Sequence, residues 1–370
     1  MVGQLQNLQL LRAVAALTVV GHHAFDQLPA LKTRFADVPI GDIGVYLFFV
    51  ISGFVIYLSA AKPDVTAARF IRDRLVRVVP LYWLCTIALA ALVVLLPDLS
   101  RSTAVSADTF LKSLFFIPHF SESHPASIWP LLVPGWSLNY EIFFYGLCAL
   151  GLLIARGRTL VFLSCGLGAL VVAGAIVEPK SAAAQVYTNS VLLYFLGGVA
   201  LGAMYKRDLF ALLPDLTALV PTGILFLAMS LWLEAPIGSA VVAILGASAV
   251  VAGMVGAEVR GRIVCGRLGR LLGDASYSIY LTHIFTLGLV RVAWSKLGLP
   301  AETGLDAALF LGAALIISAI VGVVVFWLVE KPMLSGLRRL AGPPSKGGPA
   351  SNDGSVSREF RRLSLWLQPR

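Results

Sequence analysis

Apolar runs of close to 20 residues recur along the whole chain, at roughly 8–25, 43–60, 79–97, 134–155, 159–177, 188–205, 217–233, 237–256, 275–295 and 306–330. About 20 apolar residues carry a helix across the hydrocarbon of a bilayer. The pattern predicts an all-α, polytopic membrane protein with about ten transmembrane helices. The first run lacks a basic leader and a small-residue cleavage site after it, so it is expected to remain as a span and not to be removed as a signal peptide. Residues 1–335 read as one membrane domain. Residues 336–370 read as a largely disordered basic tail, rich in Gly, Pro and Ser from Ala341. Within it, Arg358 to Gln368 is basic and amphipathic, which suits a solvated tail better than a membrane-surface helix. The longest loop, about 98–133, carries Phe115, Phe116, His119, His124 and Trp129. It is too apolar for a plain linker and is expected to cover part of one mouth of the bundle.

Composition agrees with the membrane reading. The 370 residues are 58% hydrophobic and 13% charged, with a mean hydropathy of +0.84, and soluble domains are rarely so apolar. Placing both termini in the cytoplasm puts most of the 29 Lys+Arg on the inner side, notably Arg69, Arg72, Arg74 and Arg77, and Arg260, Arg262, Arg267 and Arg270. The outer side then holds only Lys32, Arg34, Arg101, Lys112, Lys180 and Lys296. That asymmetry is the positive-inside pattern. The net charge of +9 is therefore a topology signal, with attraction to anionic membrane lipid second, and it implies no nucleic-acid partner. Cys85, Cys148, Cys165 and Cys265 fall in or beside apolar runs without CxxC spacing, so they read as small buried side chains. No metal site is expected from them.

Polar groups inside the runs are the candidates for chemistry, because ionisable side chains in hydrocarbon are costly and usually functional. Arg12 and His23 lie eleven residues apart in the first run, about 20° past three helical turns, so they share a face about 16 Å apart. His22 points about 100° away. Glu141, about two turns into the fourth run, is expected at the depth of His23. A carboxylate beside an imidazole suits general-base chemistry, and equally a buried salt link that fixes packing. Arg74 and Arg77 are one turn apart next to the bilayer, within a cluster that includes Arg69 and Arg72. Arginine forks suit phosphate, although positive-inside topology alone would account for two or three of the four. Tyr277, Tyr280 and His283 step by three along one face of the ninth run and suit a cavity wall. Trp136 and Asn139 of the fourth run join them as candidate acceptor contacts. Ser52 and Gly53 in the second run suit either close helix packing or room for a thin acyl chain.

Taken in order, Arg12 and His23, FFVISGF from Phe48, Arg74 and Arg77 with Pro80 and Tyr82, GWSLNYE from Gly135 to Glu141, and SYSIYLTH from Ser276 to His283 resemble the bacterial membrane acyltransferase-3 family. The likeness is to its exopolysaccharide and O-antigen acetyltransferase branch, in the stand-alone form without a periplasmic domain. It spans about residues 5–335. The resemblance implies transfer of an acyl group, usually acetyl from cytoplasmic acetyl-CoA, to a carbohydrate hydroxyl at the outer face of the inner membrane. It carries the family's essential histidine onto His23, its first-helix arginine onto Arg12, its paired arginines onto Arg74 and Arg77, and its fourth-helix carboxylate onto Glu141. On that reading His23 and Glu141 are catalytic, and Arg12, Arg74 and Arg77 bind the donor. The acceptor is a glycan or its lipid-linked precursor, and polysaccharide-assembly proteins are candidate partners. Direct transfer and an acyl-His23 intermediate both stay open. So do peptidoglycan, lipid or small-metabolite acceptors. The rivals from other classes are a non-catalytic scaffold for polysaccharide assembly and a proton-coupled transporter, and the chain shows no internal repeat of the kind transporters carry.

Overall fold

The computed structural model describes residues 5–28, 40–96, 105–300 and 304–340. Most of these residues are helical, with no strand among them. The helices are α1 (Gln6–Phe25), α2 (Ile40–Ala60), α3 (Ala67–Leu95), α4 (Ala107–Leu114), α5 (Trp136–Ile154), α6 (Thr159–Val177), α7 (Ala182–Tyr187), α8 (Leu192–Lys206), α9 (Leu209–Leu212), α10 (Leu219–Ser230), α11 (Pro236–Val259), α12 (Arg267–Asp274), α13 (Ser276–Lys296), α14 (Gly304–Val325) and α15 (Lys331–Leu340). A π-helical turn, Phe326–Glu330, joins the last two.

All ten apolar runs form helix, but only eight helical segments among the described residues, one of them joining α7 to α8 as Ala182–Lys206, are long and apolar enough to span. The two that fall short differ in cause. Run 217–233 yields α10, only 12 residues long. Run 275–295 yields α13, which is long enough at 21 residues but polar. Its Ser276, Ser278, Thr282, His283 and Thr286 are buried, so α13 turns its polar face into the bundle. At the other extreme, α6 is apolar all round and exposes Val161, Val172, Ile176 and Val177, as a lipid-facing helix does. Cys165 on α6 is exposed with them, whereas Cys85, Cys148 and Cys265 are buried as expected.

Two clusters of apolar side chains hold the bundle. The larger joins α2, α3, α5, α8 and α11; the smaller joins α1, α13 and α14. The closest crossing in the larger cluster is that of α2 and α8. A Cβ on Gly53 would stand 2.1 Å from the Phe195 carbonyl oxygen, and one on Gly198 would stand 2.0 Å from that of Val50. Only glycine permits that approach, so Gly53 serves helix packing and not an acyl channel.

The start of α1 is closed from far away in the sequence. The Glu258 carboxylate accepts from the backbone N–H groups of Gln6 (2.7 Å) and Asn7 (2.8 Å). Asn7, fully buried, donates to the carbonyls of Met254 and Arg262 and accepts from the Val264 N–H. First-turn N–H groups lack intrahelical partners and carry partial positive charge, which a carboxylate satisfies. The effect is to tie α1 to the end of α11. The loop before α5 is ordered where described. Tyr82 Oη and Trp83 Nε1 on α3 donate to the carbonyls of Ser113 and Leu114, and Ser113 Oγ accepts from the Leu131 N–H. Part of the long loop and the amphipathic stretch Arg358 to Gln368 lie outside the described residues. The domain boundary expected at 335 falls inside α15, which continues to Leu340.

Candidate active site

A cavity of about 140 Å³ lies between α1, α2, α3, α5 and α13. Arg12 of α1 and Arg74 and Arg77 of α3 enter it together, with Glu141 of α5. The spacing of Arg74 and Arg77, one turn apart, is what lets one helix present both guanidiniums to the same space. The Glu141 carboxylate accepts from Ser52 Oγ (2.7 Å) and from Tyr145 Oη (2.6 Å), both at Oε1. Arg12 Nε donates to Ser276 Oγ at 3.2 Å. Arg77 is ion-paired with Glu330, a fully buried carboxylate from the π-helical turn, which also accepts from Ser278 Oγ at 2.5 Å. The Arg77 guanidinium lies 5.6 Å from the centre of the Tyr277 ring. Arg74, only 9% exposed, donates from Nη2 to Ser59 Oγ at 3.4 Å, and its buried Nε has no partner.

Three guanidiniums and one carboxylate, Glu141, line the cavity, and Glu330 and Asp274 stand close enough to Arg12 for their charges to interact. The lining itself carries more positive than negative charge, in a largely enclosed space where charge interactions are far stronger than in bulk water. Such a cavity favours an anion, and the orphaned Arg74 N–H is a donor awaiting one. Its size sets a limit: ligand pockets usually run to about 300–1,000 Å³. This one accommodates only a narrow part of a larger molecule.

The histidines form a separate centre. His23 stacks on His283 with ring centroids 5.2 Å apart and meets His22 edge-on at the same separation. Its Nδ1 is 3.7 Å from an Asp26 carboxylate oxygen. His283 is fully buried on α13. Its Nδ1 is 2.6 Å from the Tyr280 carbonyl oxygen. A carbonyl only accepts, so this nitrogen carries the proton, and Nε2, which has no partner, presents a lone pair.

The expected pairing of His23 with Glu141 is not what the fold builds. Among the described residues, no hydrogen bond joins them. The reason is depth. His283 is level with His23, and Tyr280 lies one turn nearer Arg12 along α13. Tyr280 Oη is 2.8 Å from Ser137 Oγ, and Glu141 lies one turn beyond Ser137 on α5. Seven residues at 1.5 Å each put Glu141 about 10 Å from the level of His23, toward Arg12. Glu141 belongs with the arginines, and Asp26, three residues on from His23, is the carboxylate beside it among the described residues.

The Tyr277–Tyr280–His283 stripe connects the two centres. Tyr277 lines the arginine cavity and donates to the Val78 carbonyl (2.6 Å). Tyr280 donates to the Pro134 carbonyl (2.8 Å) midway, and His283 ends at His23. Trp136 packs edge-on against Phe49 and Tyr140, outside the cavity lining. Asn139 is also outside it, buried with its Oδ1 unpartnered. Glu330 was missed by the sequence reading, although a carboxylate ending an apolar run is the same signal that singled out Arg12. Tyr145 and Ser276 carry no such signal, since hydroxyl side chains are common in membrane helices.

A family model described as an acyltransferase domain matches residues 5–328. The chain belongs to the membrane acyltransferase-3 family. It is therefore a multi-pass membrane acyltransferase. It is 36% identical over 308 residues to the exopolysaccharide production protein ExoZ of Rhizobium meliloti (strain 1021), covering 80% of this chain and 90% of that one. No solved structure matches it. The family match covers α1 to α14, and with them both the arginine cavity and the histidine cluster of this acyltransferase.

Proposed function

We propose that this acyltransferase moves an acetyl group from cytoplasmic acetyl-CoA to a hydroxyl of an exopolysaccharide, or of its lipid-linked precursor, across the bacterial inner membrane, with both termini in the cytoplasm. The observation that carries the reading is the pair of centres on one wall. A cavity lined by three guanidiniums sits at the Arg12 end of α1, and an imidazole cluster sits at its His23 end. Arg12, Arg74 and Arg77 hold anionic groups of the donor. The cavity is too small for the whole molecule, so its thin arm occupies the cavity while the nucleotide end stays on the cytoplasmic side, near the exposed Arg69 and Arg72. His23 takes the proton from the acceptor hydroxyl as its oxygen attacks the thioester carbonyl, and the coenzyme thiolate leaves and is reprotonated. Asp26 is the neighbouring carboxylate for the imidazolium that forms. The name of the relative from Rhizobium meliloti supports a glycan acceptor.

The test is acetyl transfer in inside-out membrane vesicles loaded with the glycan. Acetyl-CoA added outside, at the former cytoplasmic face, is expected to label the enclosed glycan only when this chain is present. Labelling that requires right-side-out vesicles would overturn the orientation, and absence of labelled glycan in either orientation would overturn the acceptor.

A further inference from the structure

We propose that His22, His23 and Asp26 form a binding site for a divalent transition-metal ion, zinc by the chemistry of the donor set, at the end of α1. Each offers one ligand atom, and these atoms all lie within 4.8 Å of one another. Two imidazoles and a carboxylate are a donor set that zinc takes in sites where a fourth position stays open. The spacing matters. The 3.7 Å from His23 Nδ1 to the Asp26 oxygen is too long for a hydrogen bond. It is close to the ~3.3 Å that separates two ligands of a tetrahedral ion bound at about 2.0–2.1 Å. This one pair is therefore within a few tenths of an ångström of the ligand spacing, and the third atom, on His22, lies within the 4.8 Å spread of the set. His22 and His23 are half-buried and the Asp26 side chain is 44% exposed, so an ion has a way in.

A second observation points the same way. His283 is fully buried, stacks on His23, and has an Nε2 with no partner. Its Nδ1–H is spent on the Tyr280 carbonyl, which is the backbone anchoring that orients imidazoles around metals. Its remaining lone pair is buried without a partner in the ring stacked on His23. Asp42, half-buried on α2, lies close enough to His23 for their charges to interact, which adds a second carboxylate to offset the charge of the ion.

Occupancy ties up the His23 ring. If His23 is the base for transfer, as proposed above, zinc at this site inhibits the enzyme from the acceptor side; that consequence, unlike the site, rests on the functional reading. Zinc titration of the full-length protein in detergent, read with a competing fluorescent chelator, tests the site without reference to activity. The expected result is one ion per chain, with affinity more than about 100-fold weaker in His22→Ala and in Asp26→Asn, since even residues that only orient ligands cost 10–100-fold. His283→Gln is expected to weaken binding about 10-fold. Gel filtration of each variant confirms the fold. Unchanged affinity in both His22→Ala and Asp26→Asn would overturn the site. In transfer assays, zinc inhibits the wild type and spares His22→Ala, which keeps its basal rate. Binding without inhibition would leave the site standing and overturn His23 as the base.

Discussion

The two polar centres of this acyltransferase are built on opposite plans. In the arginine cavity most charges are engaged, Arg77 with Glu330, Glu141 with Ser52 and Tyr145, Arg12 with Ser276, and the buried Arg74 Nε is the exception. At the histidine end the contacts are loose, with a 3.7 Å imidazole–carboxylate separation and a buried nitrogen without a partner. The first plan suits holding a ligand in one pose, because a fully satisfied buried network is rigid and a half-satisfied one is costly. The second suits a step in which the missing partner is the substrate itself. The contrast makes distinct demands on variants. Loss at the histidine end should cost rate and little stability, and loss at the arginine end should cost stability and donor binding.

The sharpest test of that division is His23→Ala. Acetyl transfer is expected to fall about 10²–10⁴-fold, the usual worth of a general base, while the thermal midpoint in detergent barely moves. His22→Ala should retain most of the activity, because its ring points away from the wall shared by Arg12 and His23. If His22→Ala proved the more damaging, the assignment of the reactive ring would pass to His22.

Next in size is Arg77→Ala. Removing one partner of a buried ion pair leaves the Glu330 charge uncompensated, which costs about 3–5 kcal/mol. The double variant Arg77→Leu with Glu330→Leu should recover most of that stability, since an apolar pair of similar volume avoids the stranded charge. Thermal unfolding of the three proteins checks this. A double variant no more stable than Arg77→Ala would mean that the pair is not what holds the π-helical turn against α3.

The smallest effect expected is that of Arg74→Lys, which keeps the charge and removes the planar fork. A rise of about 10-fold in the apparent KM for acetyl-CoA, with kcat nearly kept, is the signature of lost uniform binding. An unchanged KM would remove Arg74 from the donor site and leave its unpartnered Nε without a ligand.

Much of this was legible in one dimension. The apolar runs located every long helix, since a run of that length in lipid has few alternatives. The rule that ionisable groups inside such runs are functional picked out Arg12 and Glu141, the one-turn spacing of two arginines beside the bilayer picked out Arg74 and Arg77, and all four line one cavity. Helical spacing placed Arg74 with Arg77 and ordered Tyr277, Tyr280 and His283 along one face, because periodicity within a helix is a local property. What periodicity cannot supply is the relative height of two helices. The depth of Glu141 against His23 depends on how α5 and α13 meet at Ser137 and Tyr280, some 143 residues apart in sequence. That contact moved Glu141 to the arginines and left Asp26 beside His23. The pairing of Arg77 with Glu330, 253 residues apart, and the closing of α1 by Glu258, 251 residues from Asn7, were likewise decided only by tertiary packing. A buried charge takes whichever partner the fold brings within reach, and no local pattern encodes that choice.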